Sequence, residues 1–128
     1  MTRPEEQIQR AIVRALRIAL PHGWIVHHSR NGGMSKGENG RAKAMGAVAG
    51  FPDLMVMGCL IDTDPSAALP FVGFLEVKTK TGRKSPDQRE MHEKLSACGF
   101  PIAIVRSVDD AIEAARGWGL PIRSMRVI

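Results

Sequence analysis

Apolar positions in the first twenty residues recur at helical spacing. Ile8, Ile12, Ala15, Leu16 and Ala19 fall on one face, with Arg10, Arg14 and Arg17 on the other. Thr2 as a candidate N-cap, Pro4 close behind it, and Glu5 and Glu6 in the first turn predict a helix over 4–20. Pro21, His22 and Gly23 end it. A short strand is predicted at 24–28, followed by a polar stretch over 29–50 with six glycines and with room for a helical turn over 41–48. Apolar runs predict strands at 53–60 and 71–78, separated by a turn over 62–70. Ser85 caps a helix predicted from Pro86 to about Ala97, with Gly99 just past its end. A strand at 102–105 and a helix from Ser107 to about Arg116 complete the pattern, and 122–128 is a candidate edge strand. The order is helix, strand, strand, strand, helix, strand, helix. It implies an α/β fold with a mixed sheet flanked by helices, in which the strands near 53 and 71 form a hairpin.

Length allows one domain over 1–128, since 128 residues suit a single core. The net charge of +5 and pI of about 9.8 suit a polyanionic partner such as nucleic acid, although charge alone describes a soluble basic protein equally well. Aromatic residues make up 5% and tyrosine is missing, which argues against reading single strands by base stacking. Cys59 and Cys98 sit in apolar contexts without zinc-type spacing and are expected to be buried thiols in a reducing compartment. The first residues lack a secretory pattern, and no apolar run approaches the roughly 20 residues that span a bilayer. A cytoplasmic protein with no membrane contact is expected.

The chemistry concentrates on the two central strands, which carry Asp53 at the start of one and Glu76-Val77-Lys78 at the end of the other. Alternation along a strand sends Glu76 and Lys78 to one face and Val77 to the other. A carboxylate and an ammonium on an apolar strand are costly to bury unpaired. One answer is a structural ion pair; the other is a metal site with a neighbouring lysine. Asp53 favours the second, because two carboxylates meeting at one sheet end repel unless a cation lies between them. Hard oxygen ligands suit Mg2+ or Mn2+, which also accept phosphate oxygens and activate water for phosphodiester hydrolysis. Lys78 would then orient or deprotonate that water, or stabilise charge on the phosphate.

Pro52-Asp53 followed by Glu76-Val77-Lys78 resembles the PD-(D/E)XK nuclease signature. Glu5 ahead of Ile8-Gln9, Gly50-Phe51-Pro52-Asp53-Leu54, and Ser85-Pro86-Asp87-Gln88 together resemble its VRR-NUC branch, over nearly the whole chain. The resemblance implies a restriction-endonuclease-like αβββαβ core and metal-dependent DNA endonuclease activity. Similarity to Holliday-junction resolvases implies branched DNA as substrate and a homodimer. It further implies Asp53, Glu76 and the Val77 carbonyl as metal ligands, Lys78 as the catalytic lysine, Glu5 as the acid from the first helix with Glu6 as its neighbour and substitute, and Gln88 reaching back to the site.

Around this set, Ser29, Arg30 and Asn31 at the start of the Gly-rich stretch are candidate DNA phosphate contacts, as are Lys80, Arg83 and Lys84 after the lysine strand. The plain reading of both segments is solvated loop. His27 and His28 end the first strand; they are read first as surface or core histidines, with a nuclease base or phosphate contact as the alternative. Asp109, Asp110 and Glu113 are read as helix acids. A second functional class is a nuclease-fold DNA-binding module that is inactive alone and needs a partner.

Overall fold

The computed structural model describes residues 3–29, 40, 41, 43–60 and 65–123. Among these, helix α1 (Pro4–Ala19) leads into β1 (Ile25–His28), β2 (Leu54–Leu60), a single 3-10 turn (Pro65–Ala67) and β3 (Leu69–Val77). Helix α2 (Pro86–Ala97), strand β4 (Ile102–Val105) and helix α3 (Val108–Gly117) follow. The strands form one sheet in the order β1-β2-β3-β4. β1, β2 and β3 pair antiparallel, and β4 joins β3 parallel after the α2 crossover, so the sheet is mixed as expected.

The pleat divides the sheet into two unlike faces. Val26, Leu54, Val56, Leu75, Val77 and Val105 point to one side and pack with Ile12 and Leu16 of α1 and Ala111 and Ala115 of α3. That layer is the core. The opposite side receives α2 and the aromatic contacts of Phe74, whose ring meets Phe51 and Phe100 edge-on at 5.4 and 5.7 Å. Glu76 lies on this second side, because it alternates with Leu75 and Val77.

Several expected details differ. Thr2 lies outside the described residues; the N-cap of α1 is Arg3, whose side chain makes no capping bond, and the first turn relies on Pro4, Glu5 and Glu6. β3 begins at Leu69, earlier than the pattern suggests, because the far end of β2 still has partners to pair: Leu60 lies opposite Leu69 and Cys59 opposite Pro70. Lys78 follows the strand, and its N–H still donates to the Val105 carbonyl at 3.0 Å. Both cysteines are exposed, Cys59 toward the end of β2 and Cys98 at the α2 C-cap, so neither is a buried thiol. Residues 40, 41, 43 and 44 are helical, within the polar stretch that has room for a turn. Of the candidate tail strand, 122 and 123 are irregular, with the Arg123 N–H donating to Ala19, and 124–128 lie outside the described residues. No described helix is long and apolar enough to cross a membrane.

Candidate active site

The site forms where β2 begins and β3 ends. Leu54 pairs with Leu75, so Asp53 and Glu76 stand one step further along the same ladder. Asp53 Oδ2 accepts a 2.8 Å hydrogen bond from the Val77 N–H, which fixes its carboxyl against β3. Its main-chain carbonyl accepts from the Ser29 N–H at 2.9 Å and lies 3.1 Å from His28 Nδ1. The preceding residues explain how the chain arrives there. Gly50 has φ +75°, and a Cβ at that position would collide with the backbone of Asp87 and Gln88 at the start of α2. Only glycine permits that approach, which brings the Asp53 segment against the helix carrying Gln88.

Glu76 is fully buried. One carboxyl oxygen, Oε1, lies 3.0 Å from His92 Nε2; the other, Oε2, has no hydrogen-bond partner. Burial pushes the Glu76 carboxyl up to about 9; carboxyl-to-carboxyl hydrogen bonding with Asp53, which needs a proton on one of the two, and the charges of Asp53 and Glu5 push the same way, against the opposing charge of Lys78. His92, also buried, is pushed down to about 4, first by burial and then by the charges of Lys84 and Lys78, with Asp53 opposing. At neutral pH their contact is therefore a neutral hydrogen bond rather than an ion pair.

Lys78 is almost as enclosed, at 8% exposure. Its Nζ donates to Gln88 Oε1 at 2.8 Å. The same oxygen accepts from the Ser85 N–H at 2.9 Å, while the Gln88 N–H donates to Ser85 Oγ at 3.2 Å. This is a capping box, and it makes the helix start and the lysine's anchor one structure. The loop after Lys78 is held by Arg106, whose Nη1 donates to the carbonyls of Thr79 at 2.6 Å and Gly82 at 2.8 Å.

Asp53, Glu76, Val77, Lys78 and Gln88 are thus brought together. Glu5 is half-buried and its charge acts on Glu76, whereas Glu6 is exposed. Ser29 joins the site edge through its bond to Asp53, while Arg30 and Asn31 lie outside the described residues. Lys80 and Arg83 are exposed on the loop, and Lys84 is half-buried near enough for its charge to reach His92. Sequence reasoning missed His92. A signal for it exists: it lies four residues after Gln88 in α2 and so shares that residue's face.

A divalent cation fits the centre on chemical grounds. Ionising Glu76, with a buried Oε2 that has no hydrogen-bond partner and a second carboxyl beside it, is costly, and a hard cation relieves that cost. Among the described residues no cluster of three or more His, Cys, Asp or Glu side chains could hold a metal. Two carboxylates with water and substrate oxygens completing the shell suit Mg2+, which dehydrates reluctantly, better than a closed protein cage.

No family model matches the sequence, and no curated protein matches it. Among solved structures, the chain is similar to a VRR_NUC domain protein, with a TM-score of 0.66 and 21% identity. The match covers 92% of this chain and 89% of the other. The chain therefore has a VRR-NUC-like fold, in keeping with its mixed sheet and helix order.

Proposed function

We propose that this chain is a divalent-metal-dependent DNA endonuclease acting through Asp53, Glu76 and Lys78. The observation that carries the reading is the unpartnered Oε2 of buried Glu76, set beside Asp53 and within the field of Lys78. Asp53, Glu76 and the Val77 carbonyl would hold Mg2+ or Mn2+, with Glu5 adding negative charge from α1. When bound, the cation supplies Lewis-acid polarisation of the phosphodiester and acidification of water. Lys78 Nζ, fixed by Gln88, orients water or stabilises charge developing on the phosphate oxygens. Ser29, Arg30, Asn31, Lys80, Arg83 and Lys84 would neutralise phosphates on either side of the scissile bond. Branched or junction DNA is the proposed substrate, and a homodimer would present two such centres to it.

Labelled duplex, nicked, flap and four-way-junction DNA incubated with Mn2+ tests the reading. Cleavage is expected from the wild type, none in EDTA, and a loss of about 10²–10⁴-fold in Lys78→Ala. Full activity in Lys78→Ala refutes the mechanism. Metal binding without cleavage of any DNA form points instead to a binding module that needs a partner.

A further inference from the structure

Gln88 and His92 stand one helical turn apart on α2 and reach the two members of the β3 motif separately. Gln88 takes Lys78, and His92 takes Glu76. The histidine is 4% exposed and the glutamate 0%, so water does not compete for their 3.0 Å contact. A carboxyl group has one soft torsion next to its charged end and, unheld, would rotate either oxygen toward the cation. The contact occupies Oε1 and leaves Oε2 as the open donor. Resting on the metal-site reading above, we propose that His92 is a positioning residue: its Nε2–H donates to Oε1 of ionised Glu76 and fixes the carboxylate with Oε2 presented for the cation. The arrangement makes α2 the common support of the site, with one residue holding the lysine and the next turn holding the acid. Partners that orient a metal-binding side chain from behind govern affinity as well as turnover.

The test is Mn2+ binding to the full chain by calorimetry, which reads the site without DNA or catalysis. His92→Leu removes the donor, His92→Gln keeps an N–H at the reach of Nε2, and His92→Asn keeps one only at the reach of Nδ1. Mn2+ affinity is expected to fall about 10-fold or more in His92→Leu and in His92→Asn. His92→Gln is expected to restore it to near wild type. If His92→Leu does not fold, the Gln against Asn comparison decides, with equal affinities overturning the proposal. Undiminished binding in His92→Leu, or an equal fall in Leu and Gln, likewise overturns it and leaves the metal site standing. A wild type that binds no Mn2+ overturns the metal-site reading and the role of His92 with it.

Discussion

Glu76 and His92 set a pH profile for the metal-free protein that runs against the usual behaviour of a buried acid–base pair. Folded, Glu76 keeps its proton up to about 9, whereas an unfolded chain releases it near 4.5. Between those values the folded chain binds one more proton, so raising the pH favours unfolding. Glu76's contribution is complete below 4.5 and is lost as the pH climbs toward about 9. His92 has the opposite sign. Its folded value of about 4 lies below the unfolded 6.5, so its contribution is absent at low pH and arrives as the pH rises to 6.5. From about 4.5 to 6.5 the two slopes oppose each other, and above 6.5 the Glu76 slope stands alone.

One proton corresponds to at most about 1.4 kcal/mol per pH unit, so between pH 7 and 8.5 the metal-free protein should lose about 1–2 kcal/mol. Urea unfolding in EDTA across that range measures it, with Glu76→Gln as control. The control keeps a neutral group against His92 and should flatten the profile. Saturating Mn2+ should cancel the trend, because the metal-bound folded chain and the unfolded chain then both carry ionised Glu76 and no longer differ by its proton. Stability that is level or rising from pH 7 to 8.5 in EDTA refutes the assignment, and so does an equal decline in Glu76→Gln.

Three further outcomes follow from the site's supports. Gln88→Leu should lower kcat on cleavable DNA with little change in KM, by less than the about 10²–10⁴-fold expected of Lys78→Ala, because it frees Nζ without removing it. Gly50→Ala should cost about 2 kcal/mol or more in thermal or urea unfolding, since both the positive φ and the α2 backbone oppose a Cβ; a neutral effect would remove Gly50 as the hinge of the approach. Replacing Lys80, Arg83 and Lys84 together by Ala should reduce the slope of log affinity against log salt by about 0.9 for each phosphate that is no longer neutralised, measured by titration of labelled duplex.

The sequence made much of this legible because two signals agreed. Alternation on β3 separated Glu76 from Leu75 and Val77, and the hydrophobic spacing of α1 placed Glu5 beside Ile8 and Ile12 on the inner side. Ser85 announced a helix start and the resemblance had Gln88 reach back to the site, and the capping box joins the two. What escaped were properties that neighbours in space decide. Cys59 follows an apolar run, yet it occupies the second side of the sheet near the end of β2, where no core layer covers it. The early start of β3 reflects pairing with β2 across a Pro-containing segment that local propensity marks as a turn.

His92 shows most clearly where local reading stops. Its helix has no continuous apolar face; among its residues only His92 is buried, and that by packing over Glu76 rather than by pattern. Burial then removes the charge expected of both partners: the acid is raised and the base lowered until their contact is neutral. A cation changes the balance, since it favours the ionised carboxylate, and the histidine's donor then has a charged oxygen to hold. The same buried pair that lowers stability as the pH rises in EDTA is therefore expected to bind a divalent ion more tightly as the pH rises, because the cation must displace the Glu76 proton.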